Sequence, residues 1–290
     1  LPQRSPTNSL LRLSTPSDAH RWSDERRRDG QSIGLVPTMG ALHRGHATLI
    51  ERSQALCDHT VVSIFVNPTQ FNRSDDFDLY PRTLDVDIAL CDSLGVNAVY
   101  APTVDAMYPE GFETSIDPGS LAHRWEGEHR PGHFAGVATV VTKLLTAVQP
   151  HIAVFGEKDF QQLAVIQHVV RDLGLPVTVV GEPTVREDDG LAMSSRNAHL
   201  APDARAHATS IKQAIDRALD RSTNTGSPSD IVEQVTNDIQ RSGGTVDYVA
   251  VVDRLTLEPA TDLNSDTRLL VAAWFGGVQL IDNVALAATE

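Results

Sequence analysis

The chain has 290 residues, enough to bury one large hydrophobic core or two smaller ones. Apolar residues make up 41% of it and charged residues 21%, proportions typical of a globular protein. The 38 acidic and 24 basic residues give a net charge of −14, which opposes long-range attraction to nucleic acid or to an anionic bilayer. No apolar stretch approaches the ~20 residues that a membrane-spanning helix requires.

The cysteines and the first residues bear on the cellular compartment. Cys57 and Cys91 each lie in an apolar helical pattern, so we expect two buried free thiols in a reducing environment. Residues 1–14 have arginines, no uninterrupted apolar run and no small-residue cleavage site, so no signal peptide is expected. Together these features predict a cytoplasmic protein without a nucleic-acid or membrane partner.

Strands and helices alternate over the first 180 or so residues. A polar surface helix anchored by Trp22 is predicted over 18–29. Pro37 is expected to end the first strand, and 102–132 to hold only short elements. The pattern of apolar residues predicts strands at 33–36, 60–66, 98–101, 152–155 and 176–180, and helices at 45–57, about 84–94, 134–148 and 159–172. This alternation predicts a parallel sheet with right-handed crossovers.

The pattern changes after about residue 185. Helices are predicted over 201–219 and 230–241, separated by a turn-rich break at 224–229. Strands are predicted at 246–252, 268–274 and 278–283, with Gly276-Gly277 as a hairpin turn. We therefore predict an α/β domain over 1–185 and a smaller α+β domain, able to act as a lid, over 186–290.

Residues 43–46, His-Arg-Gly-His, open the helix that follows the first strand. Unpaired N–H groups and the positive end of the helix dipole favour a phosphate there. His43 and His46 share one helical face, so both imidazoles can donate to one anion, and Gly45 leaves room for a flat base. Surface histidines or half of a metal site are alternatives, but the strand-to-helix context favours binding of ATP.

Two other strand ends carry polar groups where ligands of an open parallel sheet bind. Asn67 and Gln70 could fix a small hydroxy acid by its hydroxyl and carboxylate, or could belong to an ordinary turn. Lys158 could place a point charge on phosphate oxygens. Asp159 could either cap the next helix or hold a ribose hydroxyl, and Gln162 could face the same crevice.

Residues 193–197, Met-Ser-Ser-Arg-Asn, follow the predicted sheet in the sequence. The hydroxyls of Ser194 and Ser195 and the guanidinium of Arg196 together form a possible anion clamp. An ordinary solvated linker is the alternative. A position between the predicted domains suits a lid over a triphosphate.

Six segments resemble the pantoate–β-alanine ligase (pantothenate synthetase) family and occur in the family's order: 37–46, 66–71, 80–83, 130–134, 156–162 and 193–197. The resemblance implies a Rossmann-like, doubly wound parallel sheet with a small carboxyl-terminal domain, and a homodimer. It implies that ATP and pantoate form pantoyl adenylate and pyrophosphate, with Mg²⁺. β-Alanine then displaces AMP to give pantothenate, on the route to coenzyme A.

The resemblance also implies residue roles. The catalytic set on the phosphates is His43, His46, Lys158, Ser194, Ser195 and Arg196, with Lys158 and His43 as the main stabilisers of the transition state. The other ATP-binding positions are Pro37, Met39, Gly45, Gly156, Asp159, Val185 and Met193. The pantoate and β-alanine positions are Pro37, Met39, Asn67, Gln70, Tyr80 and Gln162. Asp87 is expected to assist Mg²⁺ through the phosphates or water.

Two alternatives stay open at this point. Another nucleotidyltransferase, of the cytidylyltransferase kind, would share the His-x-Gly-His segment but not residues 66–70. A non-enzymatic nucleotide sensor would need the phosphate site but not Asn67, Gln70 and Gln162 together. The chain departs from many family members at Arg44, expected to point outward, and at Ala135, where many have arginine.

Overall fold

The computed structural model describes residues 10–72, 74–222, 226–264 and 266–286. Two sequence predictions fall partly outside these ranges. They are the absence of a signal peptide, which concerns residues 1–9, and the turn-rich break, which includes residues 224–225. The described chain divides into two compact units. The first takes the described residues of Leu1–Ala122, Gly127–Gly156 and Val165–Glu182, and the second those of His123–Glu126, Glu157–Ala164 and Pro183–Glu290. The predicted domain boundary at 185/186 stays a prediction.

The first unit is built on a sheet that has six parallel strands within the described residues. They are β1 (Leu11–Leu13), β2 (Ile33–Thr38), β3 (His59–Ile64), β4 (Ala98–Tyr100), β5 (Ile152–Gly156) and β6 (Thr178–Glu182). Their order is β1-β4-β3-β2-β5-β6. From β2 the chain proceeds one way through β3 and β4, and the other way through β5 and β6. The switch point therefore lies between β2 and β5, where open α/β sheets bind ligands.

Helices flank this sheet and confirm the predicted α/β class. The helices over this part of the chain are α1 (Pro16–Arg28), α2 (Arg44–Leu56), α3 (Ser74–Leu79), α4 (Leu84–Ser93), α5 (Val104–Met107), α6 (Glu126–His129), α7 (His133–Val148) and α8 (Phe160–Asp172). Ile50 of α2 and Ile88 of α4 pack with Val36, Val62 and Val154 of the strands in one buried cluster. Helices α1 and α7 contact each other and β2.

Pro37 does not end β2, which continues to Thr38. The carbonyl of Thr38 accepts the N–H of Phe65, just after β3. The carbonyl of Ile33 accepts the N–H of His151, just before β5. Successive residues of a strand direct their backbone groups towards opposite neighbouring strands. The backbone nitrogen of Pro37 is therefore on the same side as the carbonyl of Ile33, towards β5. Pairing with β5 ends at Leu35, and the missing N–H of Pro37 therefore removes no bond from the ladder.

Both cysteines are free, but they differ in exposure. Burial raises the pKa of the Cys91 thiol to about 12. Cys57 is half-buried, and burial raises the pKa of its thiol as well. The prediction of a buried free thiol is confirmed for Cys91, whereas Cys57 retains some exposure.

The second unit is an α+β structure, as predicted. Its later elements are α9 (Pro202–Ala208), α10 (Ser210–Ser222), α11 (Pro228–Arg241), β7 (Thr245–Asp253), β8 (Thr267–Phe275) and β9 (Val278–Ala285). The three strands form an antiparallel sheet in the order β7-β8-β9. Gly276 and Gly277 join β8 to β9 with φ of 54° and 81°, the conformation that a tight hairpin turn requires.

The prediction of a single helix over 201–219 is wrong, because this part of the chain forms two separate helices, α9 and α10. Thr209 lies between them, and its hydroxyl donates to the carbonyl of Ala206 at 2.8 Å. Such a side-chain bond competes with the main-chain ladder of a helix.

Across the described ranges, no helix combines the length and the apolar character needed to cross a membrane.

Candidate functional site

Asp87 fixes the loop that leads from β2 to His43. Its buried carboxylate accepts the N–H groups of Ala41 and Leu42 at 3.0 and 2.8 Å, and the hydroxyl of Thr83 at 3.1 Å. Gly40 has a φ of 86°, and a Cβ there would lie 2.9 Å from the carboxylate. Both conditions favour glycine. The carboxylate thus shapes the loop, and its predicted assistance to Mg²⁺ stays a prediction.

His43 caps α2 and its ring is fixed by the backbone. Its Nδ1 accepts the N–H of Gly45 at 3.1 Å, and Nδ1 of His46 accepts the N–H of His43 at 3.2 Å. A neutral imidazole that accepts at Nδ1 carries its proton on Nε2. The two ring centroids are 4.2 Å apart, so the two imidazoles lie side by side at the start of α2. Arg44 is exposed, as expected.

Asn67 is buried and bonded within the first unit. Its Oδ1 accepts the hydroxyls of Tyr108 at 2.7 Å and Thr69 at 3.0 Å. Its Nδ2 donates to Gln70 Oε1 at 3.0 Å and to the carbonyl of Gly136 at 3.2 Å. Both N–H groups of the amide therefore have protein partners and hold Gln70 and Gly136 in place, and the predicted contact of Asn67 with pantoate stays a prediction.

Gln70 is oriented by these contacts. Because its Oε1 accepts from Asn67, its Nε2 lies on the other side, 3.1 Å from the sulfur of Met39. The carbonyl of Gln70 accepts from His133 Nδ1 at 2.7 Å. A buried amide fixed in this way presents N–H groups, which suits a carboxylate or hydroxyl oxygen of a ligand.

Gly136 allows α7 to approach this cluster closely. A Cβ at this position would lie 2.4 Å from the carbonyl oxygen of Thr69.

We expect Gly136→Ala to lower the free energy of unfolding by about 1–3 kcal/mol through overpacking, although alanine is the better helix former by about 1 kcal/mol. Urea denaturation measures this change. The neighbouring Ala135→Gly is the control, expected to show only the ordinary helix cost; a neutral or stabilising Gly136→Ala would contradict the close approach.

A small open pocket lies within the second unit. It brings together four predicted site residues: Lys158, Asp159, Ser194 and Arg196. Lys158 Nζ lies 3.9 Å from the Asp159 carboxylate. The rest of the lining is Leu191, Ala192, Ile211, Gln279, Leu280, Ile281 and Asp282. Of the other residues predicted on this stretch and described by the structure, Gln162, Val185, Met193 and Ser195 are not part of the lining.

Ser194 and Arg196 follow a structured hairpin, with Ser194 as the N-cap of the short 3₁₀ helix Ser195–His199 that contains Arg196. Met193 N–H donates to the carbonyl of Val185 at 2.9 Å, and Arg186 pairs with Ala192 across the same hairpin. The hydroxyl oxygen of Ser194 accepts the N–H of Arg196 at 3.3 Å. The segment therefore has a defined shape within the second unit, and its service as a lid stays a prediction.

Glu187 ties this hairpin to neighbouring residues. It accepts from Asn197 at 2.6 Å and from Arg205 at 2.7 Å. Burial alone would raise the pKa of Glu187, but these hydrogen bonds together outweigh it and lower the pKa. The carboxylate thus stays charged and the contacts persist at neutral pH.

Residues of β9 and β8 that no sequence motif marked also build the pocket. Asp282 lines it and forms a two-pronged ion pair with Arg186, at 2.6 and 3.0 Å. Asn283 and Arg268 bond to the turn that contains Lys158. The one signal in the sequence is an adjacent acid and amide inside an apolar strand, where buried polar groups need partners.

Pro37, Gly156 and Tyr80 also lie in the first unit. Pro37 is in β2, and Gly156 ends β5 with no atom within 4 Å of an added Cβ. The Tyr80 ring packs edge-on against Phe71 at 5.7 Å between centroids. The structure thus groups His43 with His46, and Met39 with Asn67 and Gln70, in the first unit.

This fold and these clusters define the class of protein: an α/β protein whose polar groups lie at the carboxyl ends of parallel strands, at the position of a ligand site. The chain matches a family model described as pantoate-beta-alanine ligase over residues 12–285. It is 50% identical over 264 residues to a pantothenate synthetase of Rhizorhabdus wittichii, with 90% of this chain and 93% of that relative covered.

Solved structures agree. A pantothenate synthetase from Thermus thermophilus has a TM-score of 0.90 at 42% identity, over 96% of this chain and 100% of that one. A pantoate-beta-alanine ligase from Francisella tularensis, complexed with beta-gamma ATP and beta-alanine, has a TM-score of 0.82 at 34% identity, over 97% and 99%. The chain belongs to the pantoate–β-alanine ligase family. The family resemblance is confirmed, and so is the prediction that the chain is an enzyme of the ligase class. Family membership favours this reading over the cytidylyltransferase and sensor alternatives.

Proposed function

We propose that the chain condenses pantoate with β-alanine at the expense of ATP, through pantoyl adenylate, and releases AMP and pyrophosphate. The observation that supports this most is the pocket of the second unit, which gathers an ammonium, a guanidinium, a hydroxyl and a carboxylate. These are the groups that phosphate oxygens and a ribose require. Membership of the family and the ligands of the Francisella tularensis relative support the choice of ATP and β-alanine.

In the second unit, Lys158 and Arg196 are proposed to bind phosphate oxygens, assisted by Ser194 and Ser195. Lys158 acts as a point charge and Arg196 as a planar fork. Asp159 accepts from the ribose. The proposed lining of the nucleoside in this unit is Val185 and Met193.

In the first unit, His43 and His46 are proposed to donate from Nε2 to phosphate oxygens. The start of α2 adds the positive end of its dipole. Gln70 donates to pantoate, which also contacts Pro37 and Met39, while Asn67 holds the Gln70 amide. Tyr80 is proposed to border the entry of β-alanine.

The chemistry needs cations and orientation more than a nucleophilic side chain. A pantoate carboxylate oxygen attacks the α-phosphorus, and the bond from phosphorus to pyrophosphate breaks. The β-alanine nitrogen then attacks the acyl carbon, AMP leaves with the bridging oxygen, and the amine proton passes to solvent.

No group of three or more His, Cys, Asp or Glu side chains in the described ranges could hold a metal. Mg²⁺ is proposed to arrive on the phosphates with its own waters, the usual state of this ion in nucleotide sites.

Oxygen transfer tests the proposed adenylate. With pantoate labelled by ¹⁸O in its carboxylate, we expect one label in AMP, and pyrophosphate release that requires pantoate. Label in inorganic phosphate, with ADP as the product, would point instead to an acyl phosphate. Pyrophosphate release without any acid would indicate a plain ATPase. Absence of release with pantoate would contradict the proposal.

Gln70→Ala tests the pantoate site. We expect the variant to bind pantoate at least about tenfold more weakly, because a buried donor to a charged group is lost, while the dissociation constant for ATP stays nearly unchanged. Calorimetry with each ligand separately measures both. Gln54→Ala is the control, since this exposed amide bonds only to the carbonyl of Leu94 among the contacts described. Equal weakening of ATP and pantoate would contradict the assignment.

We also propose that the protein is a cytoplasmic homodimer. The dimer is implied by the family resemblance, and the compartment by the free thiols and the acidic composition. Sedimentation equilibrium at micromolar concentration measures the assembly, and a monomer mass would contradict it.

A further inference from the structure

The turn that carries Lys158 is held by one buried amide of β9. This turn, Glu157–Asp159, is a three-residue 3₁₀ turn, whose own hydrogen-bond geometry is poor. Asn283 Nδ2 donates to the carbonyl oxygens of both Glu157 and Lys158, each at 2.8 Å. A side-chain amide nitrogen has two N–H groups, and this turn takes both of them.

Arg268 fixes the orientation of that amide. Its Nε donates to Asn283 Oδ1 at 2.7 Å, and its terminal nitrogen donates to the carboxylate of Glu157 at 2.7 Å. The guanidinium carbon lies 3.9 Å from the centre of the Phe160 ring, at the start of α8. Asn283 and Arg268 are therefore linked to each other and to both ends of the turn.

Burial makes these contacts effective. Asn283 is 4% exposed, and the side chain of Arg268 is 12% exposed. Hydrogen bonds shielded from water are stronger, and a lost partner leaves an unpaired buried group. The two carbonyls of the turn thus have one strongly preferred position relative to β9.

The position of the turn decides where the Lys158 ammonium lies. A lysine ammonium sits on a flexible four-carbon stem, so its placement depends on its backbone. The Lys158 side chain is only 18% exposed and lines the pocket with Arg196. We propose that Asn283 is a positioning residue for the adenylation reaction, acting on Lys158 through these two carbonyls. This inference rests on the proposed function of Lys158.

The adjacent residue of β9 serves the other part of the pocket. Asp282 pairs with Arg186 at the base of the hairpin that leads to Arg196, and Arg186 also donates to the carbonyl of Gly190 at 3.1 Å. One dipeptide of β9 therefore orders both cationic parts of the pocket, which favours a positioning role over simple packing.

Two substitutions separate hydrogen bonding from packing. We expect Asn283→Ala to slow adenylate formation at saturating substrates by about 10–100-fold, since a small misplacement of a catalytic group has an effect of that size. The KM for ATP should change by less than about threefold. Asn283→Asp keeps the shape but cannot donate to the carbonyls, so it should be as slow as Asn283→Ala. If packing alone mattered, Asn283→Asp would retain the wild-type rate.

A double-mutant cycle with Lys158→Ala is the decisive measurement. If Asn283 acts through Lys158, Asn283→Ala slows the wild type but changes the Lys158→Ala rate by less than about twofold. Single-turnover quench experiments on the whole chain follow both rates over hours. Thr267→Ala is the control: it removes a buried hydroxyl bond of β8 to the Asn264 carbonyl and should destabilise without slowing adenylation.

Equal slowing in both backgrounds, or no slowing by Asn283→Ala alone, overturns the positioning role while leaving the proposed role of Lys158 intact. A Lys158→Ala variant that keeps the wild-type rate overturns that proposed role and, with it, this inference. If Asn283→Ala fails to fold, Asn283→Ser takes its place, with one donor and an intermediate rate expected.

Discussion

Lys158→Ala is expected to slow adenylate formation by about 10²–10³-fold, the effect of losing a main donor to a charged transition state. Both reactants are anions, so their approach requires fixed positive charge more than a nucleophile. The sequence has three lysines, and Lys158 is the one that lines the pocket of the second unit. Its partly buried side chain reduces the screening by water that would weaken a surface charge. Pyrophosphate release in a single turnover measures the rate.

Lys212→Ala provides the matched control for this substitution. Lys212 is paired with Asp216 on α10 and does not line the pocket described. We expect its removal to leave the rate unchanged and to alter stability by less than about 1 kcal/mol, as for an ion pair between residues four apart on a helix. If Lys158→Ala kept near wild-type turnover, or if both variants slowed the reaction alike, the role of Lys158 would be wrong.

Much of the fold could be predicted because local patterns and global structure agree. The hairpin at Gly276-Gly277 follows from two residues that tolerate positive φ. The start of α2 follows from a strand, a loop and a helical period. In contrast, β1 is only three residues long and pairs with β4, far along the chain. Its short run, interrupted by Arg12, carries no periodic signal of its own.

The site was less predictable than the fold because its polar contacts join distant parts of the sequence. Asn67 is a plausible ligand when read in its own segment. The structure shows it held by Tyr108, 41 residues away, and such a partner has no local signature. The ion pair of Asp282 with Arg186 joins residues 96 positions apart. Sequence motifs therefore indicated groups that could contact a substrate, but not those that hold them.

His43→Asn separates the two tasks that the first histidine of the His-x-Gly-His segment performs. As the N-cap of α2, its Nδ1 accepts the Gly45 N–H, and asparagine is among the best residues for that task. Asparagine lacks an imidazole, so the proposed Nε2 donor to the triphosphate is lost. We therefore expect adenylate formation to fall by about 10²–10³-fold while the free energy of unfolding changes by less than about 1 kcal/mol.

Thermal or urea unfolding and single-turnover rates on the same sample measure both quantities. Arg44→Ala is the control at the next position, since this exposed arginine lies outside the proposed phosphate contacts and should keep the wild-type rate. A His43→Asn variant that is folded and retains the wild-type rate would show that His43 serves α2 alone. A variant that loses both stability and rate would show that asparagine does not replace the cap, and His43→Asp, another strong N-cap residue, would then be compared with it. If the His43 imidazole binds the triphosphate, both His43→Asn and His43→Asp must slow adenylate formation.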